Sequence, residues 1–161
     1  MRVLCCLDGT NVEQVSKETE MLLATQSLTL GILYVIDTGP RRDIEHTRER
    51  FLRPPGPPGP REHEMQQAEH AAAEDILNEA LRQLPNAETF QRQGRPEREI
   101  VNVAAEWQAD LVIICPRAQY GAKPVIGPRS VGHVARFVLD HAPCPVLLVR
   151  QLAREQFPIA R

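Results

Sequence analysis

Four apolar runs in this chain, Arg2 to Leu7, Leu28 to Ile36, Asp110 to Cys115 and Pro145 to Arg150, are continuous rather than alternating. A strand with apolar side chains on both sides of its pleat is stable only where both faces of its sheet are covered, as in a parallel sheet between two helix layers. A weaker alternating stretch, Ala87 to Arg92, reads as an edge or near-edge strand and brings the expected total to five.

The segments between these strands carry helical signals. Thr10 followed by Glu13 has the spacing of a capping box, and Val12, Val15, Thr19 and Leu22 then fall on one face. A second helix is expected from about His63 to Leu84, with Met65, Ala72, Ile76, Ala80 and Leu84 as its apolar stripe. Pro96 suits the first turn of a third helix running to Trp107, with Ile100, Ala104 and Trp107 inward. A fourth follows Gly132, carries Val134 and Val138, and ends near His141. Strand and helix alternating in this way predict a doubly wound α/β fold with right-handed crossovers. Such sheets bind ligands at the carboxyl ends of their strands, here near Asp8, Val35 to Asp37, and the segment after Cys115.

A length of 161 residues with 42% hydrophobic content suits one core and one domain. Nineteen basic against 21 acidic side chains give a formal charge of -2, which offers no chain-wide attraction for nucleic acid or an anionic membrane. No apolar run approaches the ~20 residues that cross a bilayer, and Met1 to Asp8 passes directly into a strand, so a cytoplasmic protein is expected. Cys5 and Cys6 are adjacent, Cys115 ends an apolar run and Cys144 lies between two prolines, a distribution that makes neither a metal nor a redox motif. Adjacent positions on a strand face opposite ways, so Cys5 and Cys6 read as small buried hydrophobes in two different layers.

Thr38 to Arg61 interrupts the regular pattern with Pro54-Pro55-Gly56-Pro57-Pro58-Gly59-Pro60. Proline at this density continues neither a helix nor a central strand, and a projecting loop is expected. A solvated connection and a docking segment for a protein partner are both open readings of it.

Several segments carry a family likeness. Leu4-Cys5-Cys6-Leu7-Asp8-Gly9-Thr10 resembles the first strand of universal stress proteins, and Leu33-Tyr34-Val35-Ile36-Asp37 the end of their second. Gly94-Arg95-Pro96 with Glu99-Ile100-Val101 is similar to their Gly-x-Pro start of the third helix, and Ala109-Asp110-Leu111-Val112-Ile113-Ile114 to their fourth strand. Gly132-His133-Val134-Ala135 and His141-Ala142-Pro143-Cys144-Pro145-Val146-Leu147-Leu148-Val149 resemble the last helix and strand. The resemblance implies a domain over residues 1–150, an insert at about 38–61 and a tail at 151–161. It implies a five-stranded parallel sheet of order 3-2-1-4-5, of the adenine nucleotide alpha hydrolase-like kind, and a homodimer built through the last strand. In one branch of the family it also implies an ATP or AMP site, with Asp8 beside the adenosine and the backbone at Val35 against adenine.

That branch holds phosphates with Gly-x2-Gly-x9-Gly-Ser/Thr after the fourth strand, where glycines let backbone N–H groups approach phosphate and a helix N-terminus adds positive potential. Here the matching positions are Pro116, Gln119, Gly132 and His133, with twelve residues between Gln119 and Gly132. Proline removes a donor and glutamine adds a Cβ, so weak or absent ATP binding is expected. Arg129, Ser130, Gly132 and His133 offer a differently built anion pocket, beside the alternative that Ser130 only caps the helix. His63 and His70 are two turns, ~10 Å, apart and read as a solvated face rather than a metal pair. The expected function is that of a dimeric, non-catalytic stress or signalling protein. Its alternatives are an ATP/AMP switch using the loop at 116–133 and an adapter using the proline-rich loop.

Overall fold

A computed structural model describes residues 1–23, 27–39, 60–116, 127 and 130–150. The expectations for residues 40–59 of the proline-rich insert, Gln119, Arg129 and the tail at 151–161 lie outside the described residues.

The strands are β1 (Arg2–Leu7), β2 (Thr29–Asp37), β3 (Glu88–Gly94), β4 (Leu111–Ile114) and β5 (Val146–Leu148). They form one sheet of order β3-β2-β1-β4-β5, and every pairing is parallel. The described helices are α1 (Val12–Leu23), α2 (Pro60–Gln83), α3 (Pro96–Glu106) and α4 (His133–His141). The expected fold class and strand order are therefore those observed. The parallel register sets Leu7 opposite Tyr34 and Ile114 opposite Leu148, which aligns the carboxyl ends of β1, β2, β4 and β5 along one rim.

The continuous apolar runs are explained by the two layers that they fill. Leu4, Cys6, Leu33, Val112 and Ile114 face α3 and α4 and meet Ile100, Val103, Ala104, Ala135 and Val138. Val3, Cys5 and Ile113 face the other way, onto Val15 of α1, while Ile32 meets Leu77, Ala80 and Leu84 on the α2 side. Cys5 and Cys6 thus lie in opposite layers, as the pleat requires. Burying a side chain such as Ile32 or Leu33, each at most 1% exposed, stabilises the fold by roughly 1.5–3 kcal/mol.

Two helical expectations are corrected. The box between Thr10 and Glu13 does not form, because α1 begins at Val12 and the carbonyl of Asn11 accepts its first bond from the Val15 N–H (2.9 Å). The Thr10 hydroxyl instead donates to Asp8 Oδ1 (2.9 Å). The buried stripe of α2 is Ala73, Leu77 and Ala80, continued by Leu84 just past its end, with Met65 and Ala72 exposed and Ile76 half-buried. Alanines at 71, 72 and 73 leave the phase of that helix ambiguous, and the packing of Leu77 and Leu84 with Ile32 decides it. Trp107, expected inward, follows α3 as its C-cap and packs half-buried against the core, with its ring edge against Phe90 (centroids 5.5 Å apart) at the amino end of the sheet.

Candidate functional site

The rim where the strands end opens into a cleft of about 570 Å³, within the usual size of a small-molecule site. Its walls come from Asp8 and Asn11 after β1, Tyr34, Val35 and Asp37 of β2, Pro96 and Glu97 opening α3, Ile114 and Cys115 ending β4, and Gly132 and His133 opening α4. A doubly wound sheet produces this because the chain leaves β1 for one layer and β4 for the other, and the diverging connections part at the rim.

Asp8 holds the turn at the β1 end. Its Oδ1 accepts bonds from the Thr10 N–H (2.8 Å) and the Thr10 hydroxyl, while its own N–H donates to Asn11 Oδ1 (3.0 Å). Asn11 is buried and its Nδ2 donates to the Cys6 carbonyl (3.2 Å), which ties the turn to the end of the strand. The carboxylate is fixed on one oxygen by its own loop while the residue stays exposed on the cleft wall. Tyr34 is pushed above its ordinary pKa first by burial and then by the negative charges of Asp8 and Glu69, so its phenol remains a hydrogen-bond donor at neutral pH.

On the far wall, Gly132 precedes α4 with φ +80°, a conformation that side chains with a Cβ rarely adopt. As an N-cap it brings no side-chain oxygen, and no side-chain bond caps the helix, so the first-turn N–H groups face the cleft region without a side-chain acceptor. His133 is largely exposed, and its Nε2 lies 3.7 Å from Glu97 Oε1. Glu97 is only 8% exposed and sits in the first turn of α3, where the helix dipole favours a carboxylate.

Of the residues expected to form a site, the structure brings Asp8, Val35, Gly132 and His133 to one cleft. Ser130 lies apart from its lining, with its N–H bonded to the Gly127 carbonyl (3.0 Å) and its Oγ accepting from Arg150 (3.0 Å). Glu97, Asn11 and Tyr34 were not singled out from the sequence. Tyr34 precedes Val35 in the strand end already named, but Glu97 reaches the cleft only because α3 and α4 begin side by side. Among the described residues there is no group of three His, Cys, Asp or Glu side chains able to hold a metal ion, and none of the helices is long and apolar enough to cross a membrane.

The model of the universal stress protein family matches residues 1–150 of the chain. A universal stress protein from Bacillus subtilis, YxiE, is 26% identical over 155 residues, covering 92% of this chain and 98% of the relative. A universal stress protein from Thermus aquaticus is 36% identical over 86 residues, 53% of this chain and 58% of the relative, so that match spans little more than half of either. Among solved structures, UspA from Lactobacillus plantarum superposes with a TM-score of 0.66 at 22% identity, covering 93% of this chain and 97% of that one. A universal stress protein family protein from Arabidopsis thaliana with AMP bound superposes with a TM-score of 0.58 at 16% identity, covering 99% and 96%. At these identities the superpositions establish the shared fold.

Proposed function

This chain belongs to the universal stress protein family, and on that premise we propose that it is a non-catalytic stress or signalling protein whose cleft takes the adenosine part of an adenine nucleotide. The observation that carries this reading is the convergence of Asp8, Val35, Gly132 and His133 on one cleft of suitable volume at the strand ends. In this reading the backbone at Val35 meets the base, the free oxygen of Asp8 accepts from a ribose hydroxyl, and the start of α4 lies toward the 5′ end. The AMP bound by the Arabidopsis protein of the same fold supports an adenine ligand.

Two features favour binding without turnover and weak retention of a triphosphate. The thiol of Cys115 in the cleft wall is pushed up to about 11 by burial, which makes it a poor nucleophile at neutral pH. Pro116, where the nucleotide-binding branch has its first glycine, supplies no backbone donor.

Calorimetric titration with adenosine, AMP, ATP and inorganic triphosphate tests the proposal. Adenosine-containing ligands are expected to bind with micromolar or weaker dissociation constants, inorganic triphosphate to give no heat, and Asp8→Ala to weaken the adenosine ligands about tenfold, ~1.4 kcal/mol. No heat from any adenosine-containing ligand overturns the reading.

A further inference from the structure

We infer that Glu97 determines specificity in this cleft, rejecting a 5′-phosphate so that the nucleoside is preferred over the nucleotide. The inference rests on the adenosine reading above. It starts from a carboxylate in an unusual position: Glu97 is buried, with 11% of its side chain exposed, and still forms part of the cleft wall. Its ion-pair contact among the described residues is His133 Nε2 at 3.7 Å, which is longer than a hydrogen bond. A buried carboxylate is costly unless its charge is compensated, and the positive end of the α3 dipole, where Glu97 sits, contributes to that compensation.

The same carboxylate spoils the neighbouring anion site. The start of α4 at Gly132 would by itself attract a phosphate, because its first-turn N–H groups carry no side-chain cap. Glu97 meets the imidazole of His133 and shares the cleft wall with Gly132, so a phosphate held between Gly132 and that imidazole would come close to a negative charge in a partly desolvated wall. Like charges at such separations repel strongly once water is excluded. The rest of the described lining adds to the effect, since Asp8 and Asp37 are also acidic and His133 is the single basic side chain opposing them there. A neutral ribose 5′-hydroxyl, by contrast, can donate a hydrogen bond to the Glu97 carboxylate.

The test is calorimetric titration of the wild-type chain and Glu97→Gln with adenosine and AMP at one pH and ionic strength. Glutamine keeps the size and an acceptor oxygen while removing the charge, and unfolding curves confirm that the variant remains folded. In the wild-type chain adenosine is expected to bind at least tenfold more tightly than AMP. In Glu97→Gln the AMP affinity rises about tenfold while that of adenosine changes less than about threefold. A second variant, Glu97→Ala, is expected to reproduce the gain for AMP. If adenosine binds but neither variant changes the ratio of adenosine to AMP affinity, the role of Glu97 is overturned and the adenosine reading stands. If neither ligand binds any of the three proteins, the adenosine reading falls and the inference with it.

Discussion

Cys5 and Cys6 leave adjacent positions of β1 for opposite layers, and Cys115 follows β4 at the cleft wall, so the surroundings of each thiol are set by the sheet. Burial pushes Cys5 up to about 11 from an ordinary 9.0, partly offset by the hydroxyl of Thr19, and burial likewise pushes Cys115 up to about 11 against a hydrogen bond from Asn11. Burial, and after it the neighbouring thiols, raise Cys6 as well. Below pH 9 these groups are protonated both folded and unfolded, and they contribute no pH dependence. Between pH 9 and about 11 the unfolded chain loses thiol protons that the folded chain keeps, so stability falls as pH rises. Urea unfolding between pH 7 and 10.5 should show about 1 kcal/mol lost per thiol by pH 10, and Cys5→Ala combined with Cys115→Ala should flatten that slope.

The end of α3 is built less favourably than its start. Pro96 opens the helix where no N–H is needed, but at the other end Gln108 takes φ +54° so that its N–H reaches the Ala105 carbonyl (3.2 Å) and the Ala109 N–H reaches Ala104 (2.9 Å). A left-handed residue with a Cβ costs roughly 1–2 kcal/mol relative to its usual conformation, a cost that glycine avoids. Gln108→Gly should therefore stabilise the protein by about 0.5–1 kcal/mol in chemical denaturation, and a loss of stability would contradict this account. Just before this turn, Trp107 packs where β2 has Gly31: a Cβ there would come within 2.9 Å of both the Trp107 and Phe90 rings. The ring also lies beneath the Arg2 guanidinium (5.9 Å) and donates from Nε1 to Glu88 (3.2 Å). Trp107 thus closes the amino end of the sheet, opposite the cleft.

The two edges of the whole sheet differ in chemistry. β3 is polar, with Glu88, Thr89, Gln91, Arg92 and Gln93, and such side chains discourage further strand pairing. β5 is Val-Leu-Leu, half-buried along its length, and pairs with β4 on one side. Association of two copies through Val146 to Val149 accordingly remains our proposal for how the molecule covers that edge. Light scattering should give a mass near twice 18.1 kDa, and a monomer at tens of micromolar would overturn it.

Continuous apolar runs determine a sheet covered on both faces whatever the details of the helices, because each strand carries its own evidence at adjacent positions such as Leu4 and Cys5. That Asp8 and Val35 share one rim was legible for the same reason, since a parallel sheet aligns its strand ends. The phase of α2 was not legible, because three successive alanines fit several faces and only packing against Ile32 selects one. Thr10 and Asn11 both have the chemistry of an N-cap, and the choice fell to Asn11 once its side chain could tie Asp8 to Cys6. Ser130 accepts from Arg150 outside the cleft lining, a contact across 20 positions that nothing local marks. Glu97 lies 36 positions before His133 in the chain, and nothing local marks the pair. Their 3.7 Å approach exists only because α3 and α4 cover the same face of the sheet and begin at the same rim.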